Sequence, residues 1–325
     1  MKRSRWGLMA GAAALAAILL AAAQGRSADT VTIAVTAIVE HPALDAVRDG
    51  VRDELEAEGY AQGKNLTFVY ESAQGNPATA AQIARKFVGD GPDVIVPIST
   101  PSAQAVVAAT QDIPVVFTAV TDPLDAKLVT NLEKPGGNVT GVRDTAPIAK
   151  QLALIREILP NAKVIGMPYN PGEANGVALL NMVKKEAPAL GFSVVEAAAP
   201  KSSDVMAAAQ SLVGKADVIY VSTDNQIVSA FASVVKVGVD NKLPVFAGDT
   251  DSVPRGAIAA IGFDYYDVGR QTGKIVVRVL KGEKPGDIAV QDVGTLQLFV
   301  NPGAAKAMGV TIPDAVMQRA KKVVQ

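Results

Sequence analysis

Four aspartates, each following an apolar run, are the residues best suited to hold a positively charged ligand group. They are Asp122, Asp224, Asp249 and Asp251. One aspartate after a strand usually caps a helix or closes a turn, because its side chain accepts nearby backbone N–H groups. Four at equivalent places indicate instead a site for a cation such as an ammonium, with at least two of them contacting the ligand.

Hydroxyl groups surround a predicted helix start. Ser99, Thr100 and Ser102 lie around Pro101, a residue typical of the first helical turn. An ordinary N-cap is the alternative interpretation. The two are compatible, because a helix start offers free N–H groups and a positive dipole end to an anion. We therefore expect this segment to hold a carboxylate.

The amino-acid composition excludes most types of catalytic site. The 325 residues include no cysteine and a single histidine, His41. The lack of cysteine excludes disulfides, cysteine nucleophiles, iron–sulfur clusters and a lipoprotein anchor, and one histidine argues against a histidine-based triad or a histidine-rich metal site. His41 precedes a predicted helix, where a structural or hydrogen-bonding role is the more common one. We predict a protein that is not an enzyme and needs no cofactor or metal.

Alternating strands and helices must position these polar residues. The predicted strands are apolar on both faces, as in parallel sheets covered by helices, so the fold class is α/β. In the first half of the chain they are Val31–Ala37, Leu66–Ser72, Val94–Ser99 and Val115–Ala119. In the second half they are Val164–Pro168, Val194–Ala198, Val218–Ser222 and Val245–Gly248.

The same order of elements occurs twice. Asp93–Ile95 corresponds to Asp217–Ile219 at an offset of 124 residues, far longer than the period of a solenoid. We predict two similar doubly wound parallel-sheet lobes joined by a multi-strand hinge, with a ligand cleft between them at the carboxyl ends of the strands. The first lobe is expected to comprise residues 29–143 plus 254–282, and the second residues 144–253 plus 283–325.

Residues 1–23 have the pattern of a cleaved signal peptide. Basic residues precede an apolar run from Gly7 to Ala23, and Ala21 and Ala23 fit a cleavage site. An uncleaved anchor is the alternative, but the run is short and alanine-rich for a membrane span. Cleavage removes three of 31 basic residues, leaving 28 against 32 acidic ones and a net charge of −4. That charge argues against a nucleic-acid partner.

Ordered motifs along the chain resemble those of a known family. They include Glu40–Asp45, Ser72–Asn76, Thr100–Gln104, Thr118–Pro123, Lys134–Gly141, Tyr169–Asn175, Thr223–Asn225 and Asp264–Gly273. Together they resemble the ABC transporter substrate-binding proteins, the family that includes the tryptophan/tyrosine-binding lipoproteins of Gram-positive bacteria. The resemblance covers essentially the whole chain after the signal peptide.

The resemblance implies a periplasmic-binding-protein-like fold of type I that closes on a small zwitterion, an aromatic or apolar amino acid. It also implies delivery of that ligand to a membrane permease driven by an ATPase. We expect a monomer, free in the periplasm because the lipidation cysteine is absent. The ligand-binding positions carried over from the family are Ser99, Thr100, Ser102, Asp122, Asn170, Glu173, Asn175, Thr223, Asp224, Asn225 and Asp249.

An aromatic ligand would need rings in the cleft, and one family position differs. The candidate rings are Phe117, Tyr169, Phe246, Tyr265 and Tyr266, of which Phe117 and Phe246 fit core packing better, and Tyr265 is counted among the binding residues. The family motif usually continues with serine where this chain has Gly176. Three alternatives stay open: a ligand-binding sensor protein, an importer component for a non-amino-acid carboxylate or aromatic acid, and an exported enzyme.

Overall fold

The buried strands form two separate sheets. The computed structural model describes residues 30–324, so the predicted signal peptide at residues 1–23 lies outside the described residues. Central strands are covered on both faces, and every residue of Val94–Ile98 and Val115–Val120 is buried. Within the described part of the chain, no helix is long and apolar enough to cross a membrane.

The first sheet has six parallel strands. They are β1 (Val31–Ala37), β2 (Leu66–Ser72), β3 (Val94–Ile98), β4 (Val115–Val120), β5 (Val139–Arg143) and β11 (Gln291–Asp292), in the spatial order β11-β5-β4-β3-β1-β2. The helices of this lobe are α1 (Pro42–Ala57), α2 (Pro77–Asp90), α3 (Thr100–Ala109) and α9 (Tyr265–Leu280). Apolar residues of α1 and α9 cover one face, and those of α2 and α3 cover the other.

The second sheet has seven strands and its own core. They are β6 (Val164–Tyr169), β7 (Ser193–Ala198), β8 (Val218–Val221), β9 (Val245–Ala247), β10 (Ala259–Phe263), β12 (Leu296–Val300) and β13 (Lys322–Val323), in the order β13-β12-β10-β9-β8-β6-β7. Only the β10–β12 pairing in this sheet is antiparallel. Its helices are α4 (Ile148–Ile158), α5 (Ala174–Glu186), α6 (Val205–Ser211), α7 (Asn225–Ser229), α8 (Phe231–Asn241), α10 (Pro302–Ala307) and α11 (Asp314–Arg319). Single 3-10 turns occupy Ala187–Leu190, Ser202–Asp204 and Pro285–Asp287.

The carboxyl ends of neighbouring strands share one edge in each sheet. In the first sheet Ala37 pairs with both Ser72 and Ile98, and Ile98 pairs with Thr118. The loops that follow these strands, and the helix starts they lead into, therefore lie side by side. This edge is where an open α/β sheet binds ligands.

The late strand β10 lies in the second sheet, whereas the expected boundary placed residues 254–282 in the first lobe. Ala260 of β10 pairs with Ala247 of β9, while the following helix α9 packs on α1 of the first lobe. The short strand β11 departs from the expected boundary in the opposite direction. Residues 283–325 were expected in the second lobe, but Gln291 pairs with Val142 in the first sheet. The pattern of apolar residues could not assign these strands to one sheet or the other, because both sheets are buried on both faces.

Three segments consequently connect the lobes. They follow β5, β10 and β11, at residues 144–147, 264 and 293–295. The first two are tied together, because the Tyr265 hydroxyl donates a hydrogen bond of 2.7 Å to Asp144 Oδ2. Asp144 and Tyr265, at the first two connections, line the space between the lobes.

Candidate functional site

A cavity that is partly open to solvent lies between the lobes, with about 340 Å³ of empty space including part of its opening. Strand-end loops and helix starts from both sheets surround it, as expected for two lobes that face each other with their carboxyl edges. The lining residues of the first lobe are His41, Ala43, Leu44, Ala119 and Thr121, those of the second are Asn175, Thr223, Asn225, Val228 and Asp249, and Asp144 and Tyr265 come from the connections.

The first-lobe wall is the start of helix α1. Pro42 occupies the first turn, His41 is extended, and no side chain caps the helix. Ala43 and Leu44 line the cavity, so the uncapped N–H groups and the positive dipole end of this 16-residue helix face the space between the lobes. Such a helix start favours an anion, for example a carboxylate.

His41 contributes a neutral imidazole to this wall. Burial, and then the positive charge of Arg255, lower the pKa of His41 to about 3. Its Nδ1 is buried without a hydrogen-bond partner. The histidine therefore carries no charge at physiological pH and offers a polar ring nitrogen to the cavity.

The second-lobe wall is organised by Glu173, which does not itself line the cavity. Asn170 Nδ2 donates to Glu173 Oε1 at 3.2 Å, and Asn225 Nδ2 donates to Glu173 Oε2 at 2.6 Å. Burial raises the pKa of Glu173, and these amide donors oppose the shift. Glu173 thus fixes the orientation of two asparagine amides, of which that of Asn225 lines the cavity.

Two polar atoms of this wall have no partner. Asn175 Oδ1 and Thr223 Oγ1 are both buried and unpaired, although both residues line the cavity. Buried polar atoms are nearly always hydrogen-bonded in proteins. Their arrangement fits a wall that completes its hydrogen bonds with a polar ligand.

Asp224 is placed as a helix cap rather than in the cavity. Its Oδ1 accepts the N–H groups of Gln226 and Ile227 at the start of α7, and its Oδ2 accepts the N–H of Asn170 at 2.6 Å. Burial, and then the charge of Glu173, raise the pKa of Asp224 to about 7. The aspartate therefore joins two loops of the second lobe.

Asp122 and the hydroxyl segment lie beside the cavity. Asp122 Oδ1 accepts the N–H groups of Leu124 and Asp125, and Asp122 lines a narrow gap against α5 together with Thr100. The hydroxyls of Ser99, Thr100 and Ser102 are buried without partners, yet none of the three residues lines the cavity.

Left-handed backbone occurs at the strand ends of the first lobe. Ser99 has φ of 77° after β3, and Ala119, which lines the cavity near the end of β4, has φ of 51°. Residues other than glycine adopt this region at a cost in energy, and they cluster at functional sites. The strain supports the assignment of this edge as the functional one.

Asp144 is the acidic cavity residue that sequence reasoning missed. Its Oδ2 accepts the Tyr265 hydroxyl, while its Oδ1 is buried and unpaired. Burial raises the pKa of Asp144 to about 6, against the opposing effect of the Tyr265 hydrogen bond. The sequence feature that could have indicated Asp144 is its position directly after Val139–Arg143, the last strand before the chain leaves the first lobe.

Asp249 is the predicted aspartate that does reach the cavity. Its two oxygens accept the N–H and the hydroxyl of Ser252, each at 2.8 Å. Burial raises the pKa of Asp249. A carboxylate has about four acceptor positions, so Asp249 retains capacity for a ligand. No lysine or arginine is among the lining residues, so Asp144 and Asp249 face the cavity without a cation on its wall.

Of the candidate rings, only Tyr265 lines the cavity. Phe117 and Phe246 are buried in the two cores, and Tyr169 packs against the core of the second lobe. Tyr266 is 39 % exposed, and its hydroxyl donates to Asp53. The remaining apolar lining consists of aliphatic side chains.

Gly176 lies where a side chain has no room. A Cβ atom at this position would be 2.4 Å from Asp224 Oδ2 and 3.0 Å from the Asn170 carbonyl oxygen. Glycine at 176 is therefore coupled to the placement of Asp224. Among the described residues, no group of three or more histidine, cysteine, aspartate or glutamate side chains is placed to hold a metal ion.

Two facing α/β lobes around a polar cavity define a solute-binding protein, and sequence comparison identifies the family. Residues 32–324 match the model for ABC transporter substrate binding proteins, so the chain belongs to that family. The predicted fold class and family are thereby confirmed. Proteins of this family are exported and serve as the substrate-binding components of ABC transporters.

Three relatives are informative. A tyrosine-binding protein of Clostridioides difficile (strain R20291) is 44% identical over 276 residues, covering 85% of this chain and 80% of that protein. A structure from Streptococcus pneumonia in complex with L-Trp has a TM-score of 0.88 at 36% identity, and the ligand-free, open structure of an adhesive substrate-binding protein from Clostridium difficile has 0.68 at 40% identity. Both alignments cover 91% of this chain and 100% of the other.

The arrangement of the two lobes is more similar to that of the L-Trp complex than to that of the ligand-free, open structure. The TM-score of this chain is higher with the L-Trp complex than with the ligand-free, open structure, although its sequence identity with the complex is lower. The cavity lined by residues of both lobes agrees with this arrangement.

Proposed function

We propose that this protein binds an α-amino acid with an aromatic or apolar side chain and delivers it to an ABC permease and its ATPase. The observation that best supports this proposal is that one cavity combines an uncapped helix start with two acidic side chains and no basic one. This combination matches the carboxylate and the ammonium of a zwitterion. The tyrosine-binding relative and the L-Trp complex support an aromatic side chain.

The carboxylate would bind at the start of α1. The N–H groups of Ala43 and Leu44 supply donors there, and the Thr223 hydroxyl can add another from the facing lobe. Ligand contact by Ser99, Thr100 and Ser102 stays a prediction. Their hydroxyls are buried and unpaired, but they lie beside this cavity and do not line it.

The ammonium would bind at the connections between the lobes. Asp144 Oδ1 is buried, unpaired and held in place through the Tyr265 hydroxyl. An ammonium there would lower the pKa of Asp144, because the opposite charge favours the ionised carboxylate. Binding of an amino acid should therefore weaken as the pH falls through about 6, the value for the ligand-free site.

The wider role rests on the family and on the signal-peptide pattern of residues 1–23. We infer a periplasmic protein, released by cleavage at residues 1–23 and not lipid-anchored, that acts as a monomer and is neither an enzyme nor a nucleic-acid binder. An amine-free aromatic acid is the second candidate ligand, because burial raises the pKa of both Asp144 and Asp249. Protonated carboxyl groups could then donate to such a ligand.

Calorimetry on protein that has been unfolded and refolded, to remove any trapped ligand, tests the proposal. L-tyrosine and L-tryptophan are compared with 3-(4-hydroxyphenyl)propionate, which lacks the amine. We expect the amino acids to bind, and Asp144→Asn to weaken them by about 10-fold to 100-fold through loss of a charged hydrogen bond worth about 1.5–3 kcal/mol. Asp90→Asn, an exposed change, is the control.

The pH dependence separates the two ligand classes. Amino acids should bind less tightly at pH 5 than at pH 8, whereas an amine-free acid should bind more tightly at pH 5. Equal binding of tyrosine and its amine-free analogue to wild type, with no effect of Asp144→Asn, would contradict the ammonium assignment. If neither the amino acids nor the amine-free acid bind, the proposed function is contradicted.

A further inference from the structure

One side-chain hydrogen bond joins the lobes outside the cavity. Gln226 Nε2, from the second lobe, donates to the carbonyl oxygen of Gly75 in the first lobe at 2.8 Å. Gln226 is 6 % exposed, so the bond is shielded from water. Neither residue lines the ligand cavity, and both line the opening of the cleft beside it.

The loop after β2 is shaped to present this carbonyl. Gln74 and Gly75 are both left-handed, with φ of 52° and 75°. The Gly75 N–H donates to the Ile38 carbonyl at 2.6 Å, and Asn76 caps α2, so the loop is anchored on both sides. A Cβ atom at Gly75 would lie 2.7 Å from Gln226 Nε2, so a side chain there would obstruct the bond.

Gln226 is also connected to the ligand wall. It follows Asn225, which lines the cavity and is oriented by Glu173. Its own N–H is held by Asp224 at the start of α7. The side chain that spans the cleft therefore stands on the same short helix as a proposed ligand contact, and the two move together.

We infer that Gln226 and the Gly75 carbonyl form a latch that stabilises the closed protein and slows ligand release without touching the ligand. The inference rests on the proposed function. The bond exists only when the lobes are together, so it favours the closed population over the open one. Losing one such hydrogen bond should raise the Kd for L-tyrosine about fivefold.

Two substitutions and a matched control test the latch. Gln226→Ala removes the donor, and Gln226→Met removes it while keeping the length of the side chain. Gln104→Ala is the control, because Gln104 Nε2 donates to the Ala126 carbonyl within the first lobe and Gln104 lines the same opening. Stopped-flow kinetics with L-tyrosine should show dissociation about fivefold faster in both Gln226 variants, association unchanged, and the control within twofold of wild type.

A distance measurement separates the latch from ligand chemistry. The chain lacks cysteine, so Gln82→Cys and Ser203→Cys, both exposed, give one label on each lobe for single-molecule fluorescence. The Gln226 variants should have a smaller closed fraction than wild type, with and without L-tyrosine. Failure of wild type to bind any aromatic or apolar amino acid would overturn the proposed function alone. A closed fraction in both variants equal to that of wild type would overturn the latch.

Discussion

At the scale of single residues, Asp144 has opposite effects on stability and on binding. Its pKa is about 6 in the folded ligand-free protein, against an ordinary value of 3.8. The folded state therefore binds a proton more tightly than the unfolded chain, and stability falls as the pH rises from about 4 through about 6. A carboxylate retained there despite this cost is consistent with a role in binding.

Asp144→Asn should therefore stabilise the ligand-free protein above pH 6. A shift of about two pKa units corresponds to about 3 kcal/mol, and the gain should fall to about 0.5 kcal/mol at pH 4 and vanish below it, where the unfolded chain is also protonated. Urea unfolding at pH 4, 6 and 8 measures it. Asp90→Asn, at an exposed position, should show no such pH dependence. A gain of equal size at pH 4 and pH 8 would be inconsistent with the raised pKa.

Glu173 offers a second test at the residue scale. Glu173→Gln replaces an acceptor pair by one acceptor and one donor, so the Asn170 and Asn225 amides cannot both keep their bonds. We expect L-tyrosine binding to weaken about 3-fold to 10-fold, as for one lost hydrogen bond, although Glu173 does not line the cavity. The pKa of Asp224 should fall because a neighbouring charge is removed.

Calorimetry and a carboxylate-resolved NMR titration would measure these two effects. Glu186→Gln, at the end of the same helix α5, is the control and should leave both unchanged. Unaltered affinity in Glu173→Gln would show that the asparagine amides do not need this carboxylate for their orientation.

At the scale of elements, helices α1 and α9 cross at glycines. A Cβ at Gly269 would be 2.2 Å from the Val47 carbonyl oxygen, and one at Gly50 would be 2.2 Å from the Tyr266 carbonyl oxygen. The obstructing atoms are backbone, so they cannot move without separating the helices. This close crossing is what fastens α9 to the first lobe after β10 has ended in the second.

Gly269→Ala should lower the free energy of unfolding by at least about 2 kcal/mol, because overpacking forces backbone shifts. Gly89→Ala is the matched control, since Gly89 also lies in a helix but a Cβ there meets nothing within 4 Å. The control should be neutral or gain up to about 1 kcal/mol from helix propensity. Chemical denaturation measures both, and equal effects of the two changes would contradict the crossing.

The repeated strand–helix pattern predicted the elements well, because apolar strands and amphipathic helices leave local signals. The strand at Val31–Ala37 has the predicted bounds, and Asp249 was found from its place after β9. Membership of a sheet is a long-range property, so β10 and β11 could not be assigned from the pattern. Asp144 was missed for a related reason, because its role depends on which strands the two lobes exchange.

At the scale of the whole molecule, the three connections permit the lobes to separate. Residues of both lobes line the cavity in this structure, so we expect a ligand of amino-acid size to enter when the lobes part. Ligand that contacts both walls should then shift the population towards the closed form.

Small-angle scattering should detect this shift. We expect the radius of gyration of refolded, ligand-free protein to fall on addition of saturating L-tyrosine. D-tyrosine is the control, because its ammonium and carboxylate cannot both reach their partners with the side chain in the same place. A radius of gyration that is the same with and without L-tyrosine would mean that the lobes do not separate in solution.

Gly176 also constrains the order in which this site can evolve. Serine at 176 would collide with Asp224 Oδ2, so that mutation alone should be harmful. A shorter residue at 224 that still caps α7, such as serine, would first make room. Gly176→Ser should therefore cost less stability together with Asp224→Ser than alone, so the two positions form an epistatic pair in which the order of substitution matters.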